Sequence, residues 1–101
     1  MMSELDKLEL YLSKSKTHYE RIDEEEFFFS RHQIIAYDES GKRLWDAICH
    51  IGSYGYEDGL LEISGNIVDE DKDGDSVVGW LTADDVIRRV RRIRKRGRKA
   101  K

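Results

Sequence analysis

The side chains able to make or break bonds are few and scattered. The chain carries one cysteine, Cys49, and three histidines, His18, His32 and His50. Cys49 and His50 are adjacent in a run of strand-forming residues. Their side chains should therefore point to opposite sheet faces, which rules them out as a nucleophile and its local base. Ser53 stands in Gly52-Ser53-Tyr54-Gly55, which lacks the Gly-x-Ser-x-Gly elbow of a serine nucleophile. No phosphate loop, dinucleotide fingerprint or His-Glu-x-x-His pair occurs. These observations predict a protein that is not an enzyme and needs no cofactor, with Cys49 as a small core residue. A single cysteine also precludes an internal disulfide and any multi-cysteine zinc site.

One stretch resembles a cation loop. Asp69, Asp71, Asp73 and Gly74 occupy positions 1, 3, 5 and 6 of an EF-hand. Position 12, where a bidentate Glu is needed, is Trp80, and the flanking residues favour strands rather than helices. The expectation is a solvated acidic turn that holds no metal.

Charge is distributed very unevenly. Residues 1–87 hold all 21 acids and eight Lys/Arg, a net of −13, whereas residues 88–101 hold ten Lys/Arg and no acid. A cationic helix and tail can neutralise nucleic-acid phosphates and release their counterions. Arg88, Arg89, Arg91, Arg92, Arg94, Lys95, Arg96 and Arg98 are the residues nominated for this contact. Conversely, a body this acidic can imitate a nucleic-acid backbone and fill the cationic groove of a nucleic-acid-handling protein. Tyr54 and Tyr56, flanking Gly55, could stack on bases or anchor a protein partner.

At 101 residues the chain makes one small domain, and a homodimer is compatible with that size. No apolar run approaches the ~20 residues that span a bilayer. The N-terminal residues include acids where a secretion signal would be basic. A cytoplasmic protein without membrane contact is expected.

The elements that must position these residues read as follows. Ser3 caps a helix to about Ser13, with Asp6 closing a capping box and Leu5, Leu8 and Leu12 on one face. Residues 13–19 form a polar loop, and an acidic run, 20–26, leads into a strand over 27–37. Asp38-Glu39-Ser40-Gly41 is a turn, followed by a return strand over 42–51. Pairing these two strands puts Phe28, Ile34, Ala36, Trp45, Ala47, Cys49 and Ile51 on the core face. Phe29, Ile35, Tyr37, Leu44 and Ile48 fall on the other, with Arg31, Gln33, Asp46 and His50. That second face is too apolar to stay wet, so a helix, loop or partner should cover part of it. A glycine-punctuated loop over 52–59, a strand over 60–68 bent at Gly65 and a short extended piece over 77–81 follow.

Thr82 opens the last helix, with Asp85 closing its capping box and Leu81 and Val86 forming a staple. Val86, Ile87, Val90 and Ile93 are its buried stripe, and it should fray by Gly97. The expected architecture is α+β: one domain over residues 1–96, a small antiparallel sheet of three to four strands with an N-terminal and a C-terminal helix. Residues 97–101 are expected to be a disordered basic tail.

Residues 41–93, above all GSYGYEDGLLEISG and VVGWLTADDVIRRV, resemble small prophage proteins of low-GC Gram-positive bacteria. The resemblance implies a phage or mobile-element accessory protein that works by stoichiometric binding. Blocking a host defence system, in the manner of an anti-CRISPR inhibitor, is one such role. No site residue comes with it, and the basic tail is foreign to the pattern.

Overall fold

A computed structural model describes residues 2–99, and of 96–99 the backbone alone. The elements are α1 (Glu4–Lys14), β1 (His18–Glu26), β2 (Phe29–Tyr37), β3 (Arg43–Ile48), β4 (Leu61–Gly65), α2 (Glu70–Asp73), β5 (Val77–Leu81) and α3 (Ala83–Lys99). All strand pairs are antiparallel, and the spatial order β1-β2-β3-β4-β5 is that of a meander. The α+β class is as expected, but the sheet has five strands rather than three or four.

The additional strand is β1, which takes up the acidic run and the end of the supposed loop before it. Acids disfavour strands, but here the alternation decides. Tyr19 and Arg21 face α1, where Arg21 Nη1 reaches Asp6 Oδ1 at 2.7 Å and Glu9 Oε1 at 3.0 Å. Arg21 Nε lies 3.0 Å from Asp23 Oδ2, without the alignment of a hydrogen bond. These ion pairs hold an acidic edge strand against its helix.

The β1–β2 turn is Phe27-Phe28, placing Phe28, expected in the core, at a hairpin tip with 84% of its surface exposed. Ile51 also leaves the core, 56% exposed in the loop beyond β3. Leu44 sits at a register shift between β2 and β3 and packs against the core rather than on the far face.

One apolar cluster organises the molecule. Leu5, Leu8 and Leu12 of α1 meet Ile34 and Ala36 of β2, Trp45 and Ala47 of β3, Leu61 and Ile63 of β4, and Ala83, Val86 and Val90 of α3. Both long helices thus cover the same sheet face, and residues of period 2 on the strands meet residues of period 3.6 on the helices. The caps behave as the sequence suggests. Ser3 Oγ accepts from the Asp6 N–H, and Asp6 Oδ2 accepts from the Ser3 N–H. Glu4 Oε1 accepts the Ala83 N–H at 2.8 Å, so the first turn of α1 also caps α3.

On the far face of β2 and β3 long side chains bond to one another, and the loop after β3 meets β4 there through the Tyr54 N–H and Glu62 Oε1. Arg31 Nη2 donates to Gln33 Oε1 at 2.8 Å, Gln33 Nε2 donates to Asp46 Oδ2 at 2.8 Å, and Arg43 pairs with the same carboxylate at 2.8 Å. Ser64 Oγ donates to Asp46 Oδ1. Ile35, Gln33 and Asp46 are buried on this face.

Candidate nucleic-acid interface

Helix α3 begins with the expected box. The Thr82 N–H donates to Asp85 Oδ2 at 3.0 Å, and the Asp85 N–H donates to Thr82 Oγ1 at 3.2 Å. Val86 and Val90 are buried and Ile87 and Ile93 half-buried, so the apolar stripe is spent on the core. The helix continues to Lys99, past the end expected at Gly97.

The nominated cations do not form one group. Arg89 lies on the flank of the buried stripe and is consumed by the fold. Its Nη1 and Nη2 grip Asp73 Oδ2 and Oδ1 at 2.9 and 3.1 Å, and Nη1 also donates to the Ile67 carbonyl at 3.1 Å. Arg94 donates to Thr17 Oγ1 yet remains exposed. Arg88, Arg91, Arg92 and Lys95 are exposed, with spacing i, i+3, i+4 and i+7. That spacing aligns them on one helix face over about 10 Å of axis. Among the described residues, the only ion pair made by these four is Arg88 with Asp85, a long 3.7 Å contact. The side chains of Arg96 and Arg98, and residues Ala100 and Lys101, lie outside the described residues.

The acids fall elsewhere. Strands β1 and β5 form opposite edges of the sheet, and Glu20, Glu24, Glu25 and Glu26 of β1 are exposed. Two aspartates of the cation-loop motif are engaged by the fold. Asp69 caps α2 by accepting from the Asp71 and Lys72 N–H groups. Asp73, its pKa lowered chiefly by its hydrogen bond with Arg89, is committed to that guanidinium. Among the described residues, no group of three His, Cys, Asp or Glu is arranged to hold a metal ion.

His32 and Cys49 line one cavity of about 230 Å³ with Arg21, Asp23, Leu5 and Leu61. They do not make a nucleophilic pair. Both ring nitrogens of His32 are taken by carboxylates, Nδ1 by Asp23 at 2.7 Å and Nε2 by Glu25 at 3.1 Å. These contacts raise its pKa, Asp23 most. Burial raises the Cys49 pKa too, which keeps the thiol protonated rather than nucleophilic. His50 Nδ1 accepts the His32 N–H at 2.9 Å and is thereby fixed as a structural acceptor.

The two nominated tyrosines line one shallow cavity with Trp80 but differ in exposure. Tyr54 is 54% exposed and stacks on Trp80, ring centroids 5.2 Å apart. Tyr56 is half-buried, its hydroxyl 3.4 Å from Ser30 Oγ. Trp80 escapes a sequence reading because it falls in an apparently ordinary strand. Gly79 before it and Gly55 between the tyrosines are the only local signals.

Comparison with models of known protein families, with curated proteins and with solved structures gave no match.

Proposed function

We propose that this chain is a small non-enzymatic binding protein, a phage or mobile-element accessory factor, that contacts nucleic-acid phosphates through the outer face of α3. The observation that carries this reading is the file Arg88, Arg91, Arg92 and Lys95. Four cations share one exposed face of a helix whose opposite face is anchored in the core. A rigid cationic ridge of this kind positions charge against a phosphate backbone without reading bases, so binding is largely independent of sequence. Arg89, paired with Asp73, takes no part.

The test is binding to a random-sequence DNA duplex as a function of salt. Four phosphate contacts give a log–log slope of about −3.6, or roughly a hundredfold weaker binding at 200 mM than at 50 mM salt. Replacing Arg91 and Lys95 by Gln should halve that slope. Binding that ignores salt, or is indifferent to the double substitution, refutes the reading.

The exposed acids of β1 favour a second reading. Glu20, Glu24 and Glu26 fall on one face of an edge strand, with Ile22 between the first two, and such a row can stand in for phosphates in the groove of a nucleic-acid-binding protein. In that case the chain displaces DNA from such a protein, and Glu24→Gln with Glu26→Gln abolishes the displacement.

A further inference from the structure

The tip of the β1–β2 hairpin carries an apolar wedge that turn chemistry does not require. Glu26 and Phe29 close the ladder, so Phe27-Phe28 is a two-residue turn. Such turns favour Asn, Asp and Gly, which adopt positive φ with little strain. Here both positions hold phenylalanine, and the two rings meet edge to face with centroids 4.4 Å apart. They are 90% and 84% exposed, and Phe29 beside them is 46% exposed. The tip is acidic as well as apolar. Glu24, Glu25 and Glu26 are exposed, and among the described residues Glu26 makes no ion pair. Arg21 and Arg31, the cations nearest in sequence, are already paired with carboxylates.

Charge selects what can cover this tip. Carboxylates beside the rings repel nucleic-acid phosphates and anionic lipid headgroups. They attract an apolar surface edged with cations, and this chain carries one. A shallow cavity of about 330 Å³ on α3 is lined by Ile87, Arg88, Arg91 and Asp84. Ile87 is half-buried, Arg88 and Arg91 are exposed, and Arg91 has no ion pair among the described residues. We infer that the Phe27-Phe28 tip of one copy docks on the Ile87, Arg88 and Arg91 face of α3 in a second copy. The rings cover apolar surface and arginine stems there, and the glutamates meet the guanidiniums. The contact is heterologous, a hairpin tip on one copy and a helix face on the other. One tip on one helix face falls below the ~1,200 Å² of a stable pair, so the contact is weak, with a Kd of about 100 μM. At about 5 μM the chain is therefore a monomer. Arg88 and Arg91 also belong to the phosphate contact assigned to α3, but the self-contact does not depend on that reading.

The test is sedimentation equilibrium of the full chain between about 5 and 500 μM, without nucleic acid. The mean mass should exceed the monomer's from about 100 μM upward. Phe27→Ser with Phe28→Ser, and separately Arg88→Gln with Arg91→Gln, should each hold the chain monomeric throughout. An equimolar mixture of the two variants should associate again, because one supplies the helix face and the other the tip. At about 5 μM the phenylalanine variant should bind a random-sequence DNA duplex as tightly as the native chain. A native chain that self-associates in this way but ignores the duplex overturns the phosphate reading alone. One that binds the duplex yet stays monomeric at about 500 μM overturns this inference alone. If such a monomer binds phosphatidylcholine vesicles through Phe27 and Phe28, the tip's occupant is a membrane instead. Association that survives either pair of substitutions, or a mixture that stays monomeric, also overturns it.

Discussion

Arg89→Met offers the sharpest test of how the basic run is divided between fold and surface. Met retains the apolar stem that lies along α3 and removes the fork that grips Asp73 and the Ile67 carbonyl. The two side chains are only 20% and 15% exposed. Exposed pairs contribute at most about 1 kcal/mol, and breaking a fully buried pair costs about 3–5 kcal/mol. A bidentate pair at this depth falls between, so the loss should be about 2 kcal/mol by urea denaturation, or about 10 °C in Tm. Arg91→Gln, on the exposed face, should stay within about 0.5 kcal/mol.

The pH dependence has a fixed sign. Asp73 is depressed mainly by Arg89, so the pair's contribution is complete above the ordinary aspartate value of about 3.9 and disappears as pH falls through the lowered one. Arg89→Met should therefore flatten the acid side of the stability profile. On DNA the order reverses: Arg91→Gln lowers the salt slope by about 0.9 and Arg89→Met leaves it unchanged. If Arg89→Met were as mild as Arg91→Gln in stability, or lowered the salt slope as much, the division would be wrong.

Further predictions follow from the same contacts. Gly65→Ala puts a Cβ 2.5 Å from the Leu44 carbonyl and Trp45 Cα at φ +99°, and should cost about 3 kcal/mol or more in urea denaturation. Replacing Phe27 and Phe28 by Ser should change stability by no more than about 0.5 kcal/mol, since their rings are 90% and 84% exposed; a larger loss in the same assay would mean the tip is packed. His32 has its pKa raised by Asp23 and then by Glu25, so its contribution is complete below about pH 6.5 and is lost as pH rises through the elevated value. Urea midpoints between about pH 6 and 8.5 should decline in the native chain, and this part of the decline should vanish in His32→Gln.

The helices were legible in the chain itself because their signals are local. A capping box spans four residues and an apolar stripe two or three turns. Ser3-Asp6, Thr82-Asp85, Leu5-Leu8-Leu12 and Val86-Val90 could thus be placed without knowing what they pack against. The core of β2 and β3 followed from period 2. Strand β1 was hidden for two reasons. Its acids are poor strand formers, and their partners in β2, like those of Arg21 in α1, are 7 to 17 residues distant. Its turn, Phe27-Phe28, has neither glycine nor a positive φ to announce it.

Composition alone also determined that the last 14 residues are cationic and the remainder acidic. Tertiary structure decided which cations are spent and which remain. Arg89 and Arg91 are two residues apart and so point about 160° from each other around the helix. One finds Asp73 brought in by α2, and the other faces outward. The Tyr54–Trp80 stack is tertiary for the same reason. Its rings are separated by 26 positions, and only the meander's return through β4 and β5, with a glycine at each point of closest approach, brings them within 5.2 Å.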